Sequence, residues 1–530
     1  MDPCKTEQEN LKEEVNKEDI DESSPLKPCT EENDKSEKEE KNEEVKKKKL
    51  TFRERLKLIK DNTTVEPIMA CYVMPSVLAS LAIQNLNLEK ACRVNLNYST
   101  EVCDALNLRQ TENYTLEEQA VQKLTASVGV WKNVVQTSIP VLLILFVGAW
   151  SDKTGKRKAC IMLPIVGEFV ACLGFIVNTY FFNLPVEVSA FTEAIFPAIT
   201  GGWFTNFIGV FSYIGDITTE ENRTYRVGLV NMFMSLGYPI GSALSGIMLS
   251  WVGYYGVFSV SSSLYLFSLI YGYKYLKDPK QRAEKKMENK DNKKCFLREF
   301  FDVGLVMETF KVAFKKGAGN RRLRVCLLLI VVCVVFGPMH GEFTVMYLFT
   351  RYRFNWDEVQ YSMWSTYSIV TNLMGTFFSI TLFSNYMKLD DTLLGIISNV
   401  SKIIAAFAYA FARNDLEIYL APLLEILNGT SFIAMRSIAT KLVDGEEFGK
   451  VNSLFGLAEA TMPLLYGPLY SRVYMATLDI LPGAVFLLGA AMTLPSIGIF
   501  GWLYFEHKKD KLRNEAQKED SEKQQTEQLK

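Results

Sequence analysis

Six ionisable side chains fall inside apolar runs of this chain: Glu168, Glu193, His340, Glu342, Glu425 and Arg436. Charge in such a run is costly, and by default it marks an ion or substrate path. His340 can titrate between about pH 5 and 8, which suits a proton-coupled cycle; a neutral histidine hydrogen-bonded in the bundle is the equal alternative. A guanidinium such as Arg436 suits a carboxylate-bearing substrate or a carboxylate gate, unless it snorkels to the headgroups near Lys441. Motifs of hydrolytic chemistry are missing: the sequence has no G-x-x-x-x-G-K-[ST], no G-x-S-x-G and no H-E-x-x-H. With only two histidines in the chain and no CxxC spacing, a metal site is not expected. The expectation is a protein without enzyme activity or cofactor, whose transport, if that is the function, draws on an ion gradient such as H+ or runs downhill across a lipid bilayer, with no nucleic-acid partner. A proton-independent uniporter or exchanger is one alternative, and a transporter-like receptor or scaffold is another.

A second group of residues suggests a gate. Gly148–Lys158 reads GAWSDKTGKRK, a tight turn crowded with bases between two apolar runs. Such a turn suits a short cytoplasmic loop between transmembrane helices. Gly148, Asp152, Gly155, Lys156 and Arg157 lie in it, while Asp216 and Arg223 follow in SYIGDITTEENRTYR. Acids at one helix end and bases at the next can lock an outward-open state by pairing across the bundle, then release on rocking. The bases alone would also serve topology.

The elements that must hold these residues are membrane spans. Mean hydropathy is only +0.05, but that average mixes charged ends (1–60, 507–530) and a charged block (277–322) with long apolar runs. Runs of about 20 apolar residues predict spanning helices. We read twelve, at 65–87, 121–149, 159–182, 187–214, 227–251, 253–276, 323–348, 357–384, 391–411, 417–441, 451–475 and 481–505. No cleavable leader is read, so the first span is its own insertion signal. Glu425 and Arg436 are eleven residues apart, which puts them within ~20° on one face of a continuous helix and ~16 Å apart. Gly337-Pro338-Met339-His340-Gly341-Glu342 predicts a broken helix in span seven, of the kind tolerated where backbone faces a cavity.

Orientation follows the excess of Lys and Arg in alternate loops, which places both termini in the cytoplasm. The 88–120 loop then lies outside. Its sequons predict glycosylation at Asn97 and Asn113, and its two cysteines, Cys92 and Cys103, predict a local disulfide. Segment 1–60 is a charged tail, disordered over 1–50. Within 277–322, residues 296–316 carry Phe, Leu and Val at helical spacing. They predict an amphipathic helix, lying on the membrane or packed on the protein itself. Residues 61–276 and 323–506 form two six-span blocks, and 507–530 is a second charged tail. Plasma-membrane residence is expected, with an endolysosomal membrane as the alternative.

The 148–158 loop resembles the G-x-x-x-D-[RK]-x-G-[RK]-[RK] pattern of the major facilitator superfamily. Over about 60–506 the chain resembles solute carrier family 46, the group containing the proton-coupled folate transporter. The resemblance rests on the VEP start of span one (65–67), SDKTGKRK (151–158), SYIGDITTEENRTYR (212–226), FGPMHGEFTVMYLF (336–349) and MRSIATKLVDGEEFGKVNSLFGLAEA (435–460). It implies an all-α polytopic fold of twelve helices in two six-helix bundles around a central cavity, with spans one, four, seven and ten lining it. Glu168, on span three, would then be peripheral and structural. It also implies proton-coupled uptake of an anionic solute such as folate, a muropeptide or a cyclic dinucleotide. Arg436, Asp152 and Asp216 match functional positions of the family. Asn231 stands where the folate transporter has an intramembrane glutamate, Val335 where it has a histidine and Asn355 where it has a loop cysteine. A second copy of the 148–158 motif would fall at 375–391, where only Gly375, Lys388 and Asp390 or Asp391 remain.

Overall fold

A bilayer offers backbone amides no water, so a spanning segment must satisfy them within its own helix. The structure, a computed structural model, follows that rule. It describes residues 64–218, 220–278, 304, 307, 310–311, 314–315, 320–387, 389–442 and 445–528. The tail read over 1–60, most of the 277–322 segment and the side chains of Asp152 and Arg223 lie outside the described residues.

The first half contains α1 (Glu66–Lys90), α2 (Thr100–Asn107), α3 (Thr115–Thr154), α4 (Arg157–Tyr180), α5 (Val186–Ile199), α6 (Gly202–Ile217) and α7 (Glu220–Tyr275). Helix α7 kinks at Gly253 and so makes two passes. The second half contains α8 (Arg321–Phe354), α9 (Glu358–Ser379), α10 (Asp391–Phe411), α11 (Asp415–Leu424), α12 (Thr430–Leu442), α13 (Gly445–Thr477) and α14 (Ala484–Gln528). Among the described residues, eight helical stretches are long and apolar enough to cross a membrane. The fold is an all-α polytopic membrane protein, twelve rods in two six-helix bundles. Helix α14 continues to Gln528, through the segment read as a tail. Near its membrane end, Glu506 and Asp510 pair with Arg324 at 3.2 and 2.5 Å.

Two rods are interrupted. The fourth breaks at Thr200–Gly201, where Gly201 has φ +90°, a left-handed angle that costs any other residue strain. The tenth breaks between Leu424 and Thr430. The seventh, expected to break, is continuous from Arg321 to Phe354 with Pro338 inside it. Its glycines serve packing instead: a methyl group at Gly337 would strike the ring of Tyr466, and one at Gly341 the ring of Tyr470. They bring α13 close to α8 without opening the helix.

The core is shared at one end of the molecule and divided at the other. Near the Cys92–Cys103 disulfide, one apolar cluster runs across both halves, from Leu81 and Ala126 to Trp356, Tyr470 and Tyr474. Toward the Arg157 end each half keeps its own cluster, one around Val65, Ile161 and Val230, the other around Val325, Met435 and Phe500. Phe310 and Phe314, from the segment read as an amphipathic helix, pack against that second cluster.

Candidate functional site

Between the halves lies a cavity of about 1950 Å³, larger than the ~300–1,000 Å³ of ordinary ligand pockets. Its first-half wall carries an ion pair, Lys132 Nζ to Glu193 Oε1 at 2.7 Å. Beside it are Glu168 and an aromatic group in which Trp203 stands 4.2 Å from Phe207 and 6.0 Å from both Tyr72 and Tyr238. Glu168, read as peripheral, therefore faces the cavity, and no hydrogen bond or ion pair engages it among the described residues.

The second-half wall carries Arg436. Its Nη2 holds Glu459 through both carboxylate oxygens, at 2.8 and 3.1 Å, and Nη1 donates to Asn452 at 3.2 Å. The Arg436 side chain is 46% exposed, so it faces the open cavity as well as these partners. His340 lines the same wall, its ring 5.0 Å from that of Phe336.

Glu342 and Glu425 do not line this cavity. Both turn into the second bundle, where one ammonium, Lys402 Nζ, bonds them at 2.5 and 2.8 Å. The helical-phase estimate that put Glu425 on one face with Arg436 assumed a continuous rod. The break after Leu424 resets the phase, and Arg436 lies on α12 beyond it.

In the gate region, Arg157 Nε reaches Asp216 at 2.8 Å and Nη1 reaches Ser151 at 2.9 Å. Lys158 bonds Asp278 and the Tyr273 carbonyl at the end of α7. These contacts tie the loop to α3, α6 and α7 of its own half. Gly155 ends α3 at φ +69°, Lys156 lies over the Trp150 ring, and Gly148 lines the cavity near its rim. The second half repeats the joint with charges reversed: Asp391, at the start of α10, bonds Lys441 and Ser437 of α12, each at 2.6 Å.

Side-chain bonds across the halves gather at the disulfide end. Arg351 Nε donates to Glu118 at 2.9 Å, with 2% and 3% exposure, and its Nη groups donate to Asn85 and the Leu106 carbonyl. Tyr474 donates to Gln122 at 2.7 Å and Lys123 pairs with Asp479 at 2.6 Å. Arg109 donates to the Tyr347 hydroxyl, and its carbonyl accepts from Asn355. Burial and the nearby Arg351 guanidinium push Arg109 down from the usual arginine range. Arg351 holds Glu118, while Arg109 Nη2 lies 4.0 Å from a second carboxylate, Glu358. Cys92–Cys103 closes the loop that presents Leu106 and Arg109 to these partners. Asn97 and Asn113 are exposed on the same end.

Sequence reasoning passed over Lys132, Lys402, Glu459 and the Glu118–Arg351 pair. A lysine inside an apolar run, as in VWKNVV and SNVSKIIAAF, was the available signal; it reads as snorkelling until a buried carboxylate is found for it.

A family model described as the Major Facilitator Superfamily matches residues 124–468. A Gallus gallus protein named "Lysosomal proton-coupled steroid conjugate and bile acid symporter SLC46A3" is 24% identical over 448 residues, 83% of this chain and 93% of its own. A Drosophila melanogaster protein named "Probable peptidoglycan muropeptide transporter SLC46" is 22% identical over 444 residues, 81% of this chain and 84% of its own. Among solved structures, the human organic anion transporter MFSD10 superposes with TM-score 0.51 at 14% identity, covering 82% of this chain and 99% of that one. A bacterial homolog to the human lysosomal transporter Spinster, inward-facing and unoccupied, does so with TM-score 0.51 at 11% identity, covering 82% and 98%. At such identities the structural likeness concerns the fold.

Proposed function

The chain belongs to the Major Facilitator Superfamily, with its curated relatives in solute carrier family 46, and on that premise we propose that it carries an amphipathic organic anion across the membrane with protons, by alternating access. The observation that carries this reading is the cavity's pairing of an aromatic wall with two cations that are each already held by a carboxylate. Trp203, Phe207 and Tyr238 offer an apolar aromatic surface, their rings tilted to one another by 56° and 66° about Trp203. Lys132 and Arg436 offer positive charge, but Glu193 and Glu459 occupy it. The charge of Arg436 is fully available to an anion when Glu459 gives it up, and a proton on Glu459 does that. Protonation therefore prepares the site for an anion, and substrate release in a less acidic compartment lets the carboxylate return.

Such a wall fits a steroid conjugate or bile acid, the cargo named for the chicken relative, better than a highly polar solute. Folate is not favoured: the folate-transporter glutamate is Asn231 here. An endolysosomal membrane suits the names of the SLC46A3 relatives. We place the Arg157 end in the cytoplasm and the disulfide end, with Asn97 and Asn113 glycosylated, outside or in the lumen. The shared core and the Glu118–Arg351 latch then make this conformation closed to the outside.

Uptake into proteoliposomes, with labelled taurocholate, estrone sulfate, a muropeptide and folate compared with and without an inward proton gradient, tests the reading. The expected result is accumulation of the steroidal anions, enhanced by the gradient. Gradient-independent flux would make the protein a uniporter, and flux of only the polar solutes would overturn the cavity argument.

A further inference from the structure

The strongest unassigned feature is the polar cluster buried in the second bundle, away from the cavity. The break between α11 and α12 frees backbone carbonyls that a bilayer cannot solvate, and α10 satisfies them. Ser401 donates to the Leu424 carbonyl at 2.5 Å, and Ser398 donates to those of Leu427 and Asn428 at 2.8 Å each. One turn along, Lys402 bonds Glu425, whose same oxygen accepts from Asn428 at 2.9 Å. Lys402 also bonds Glu342 of α8, and both members of that pair are 6% exposed.

Two carboxylates on one ammonium leave a negative charge uncompensated in an apolar interior, where a lone ion is strongly disfavoured. Among the described residues, the titratable groups facing the cluster supply no second cation: they are Tyr409 of α10, lying against Glu425, and Tyr470 of α13, with Tyr466 beyond it. Helix α14 presents the bare backbone of Gly489. Two orphaned atoms converge there. Glu342 Oε1 and the Tyr470 hydroxyl are buried without a hydrogen-bond partner among the described residues, and a methyl group at Gly489 would strike both. A proton on Glu342 Oε1 removes the surplus charge and gives the orphaned oxygen a hydrogen to share.

We propose that the Glu342–Lys402–Glu425 cluster is a proton-binding site outside the cavity, which holds one proton on Glu342 and couples its loss to the break between α11 and α12. With the proton bound, the charge of Lys402 is committed to Glu425 and the break is held. When the proton leaves, two anions compete for Lys402, the hold on Glu425 weakens, and α12 is freed to shift, carrying Arg436 with it. Proton binding itself does not depend on what the cavity carries; the coupling to Arg436 rests on the transport reading above.

Infrared difference spectra of the full chain in lipid nanodiscs, acid minus alkaline, test the site without any substrate. The wild type is expected to show a buried carboxylic-acid carbonyl band that is lost in Glu342→Gln and kept in Glu459→Gln. Glu425→Gln, which leaves one acid per ammonium, is expected to lose the band too and serves if Glu342→Gln fails to fold. A wild type without the band, or a cluster variant that loses no carboxylic-acid band relative to the wild type, overturns the proposal; a band from a protonated Glu459 is told apart by its loss in Glu459→Gln. For the coupling, spin labels at Gly148→Cys and Gly456→Cys should show a pH-dependent separation that Glu342→Gln abolishes; an unchanged pH response would refute it. A clean infrared result beside absent uptake would reject the transport reading and leave the proton site standing.

Discussion

Arg436 is the cation most available to a solute, because its partner Glu459 shares it with cavity water. Arg436→Ala should lower uptake at least tenfold with surface abundance unchanged, as removal of a charge-assisted hydrogen bond worth roughly 1.5–3 kcal/mol requires. Arg436→Lys should restore only part of it, since the two guanidinium nitrogens engage Glu459 and Asn452 at once and a single ammonium replaces only one of them. Lys132→Met leaves Glu193 without its cation, and should lower both thermal stability and uptake. Lys132→Met with Glu193→Gln should recover stability but not uptake if the cation serves the solute; full recovery of both would make the pair structural. Arg436 was legible in the sequence because an arginine within an apolar run is rare. Its partner was not, because Glu459 sits 23 residues away on the next rod, and pairing across helices leaves no spacing signal.

At the scale of elements, the two interrupted rods do the positioning. They are the fourth of each half, and breaks at matching positions of two halves point to where a transporter binds its cargo. Glu193 lies about two turns before the first break and Arg436 a little under two turns after the second. Gly201→Ala should cost about 1–2 kcal/mol for its left-handed backbone, and more for the collision of a new methyl group with Thr205. A lowered melting temperature, measured by the unfolding of purified protein, checks this. Gly341→Ala should also destabilise, through the Tyr470 ring, even though α8 stays helical. The span pattern was readable because a run of apolar residues of the right length has few other uses. The breaks were misread: Gly337-Pro338 looks like a hinge yet packs closely, while Asn428-Gly429 looks ordinary yet opens the helix. Which glycines relieve a turn and which admit a neighbour's ring is decided by the neighbour, and that information is not local.

For the whole molecule, the halves share a core and a polar latch at the disulfide end and part toward the Arg157 end. Glu118→Gln would strand a buried guanidinium at a cost of about 3–5 kcal/mol, enough to shift a two-state balance by roughly a hundredfold or more. The variant should populate the oppositely open state and raise the accessibility of Asn85 and Tyr347 to labelling. Cys92→Ser should act in the same direction, because it slackens the loop that presents Leu106 and Arg109 to α8. The loop at 148–158 was legible as a helix-end joint, but its partner Asp216 belongs to the same half, so the joint stiffens one bundle as it moves. The central claim is rocking of the halves about the cavity. It is tested most directly by spin-label distances in one sample series: across the latch, at Lys123→Cys and Asp479→Cys, and across the opposite rim, at Gly148→Cys and Gly456→Cys, where added side chains meet no neighbour. The account predicts that Glu118→Gln lengthens the first distance and shortens the second. Distances that stay fixed, or that lengthen together, would contradict it.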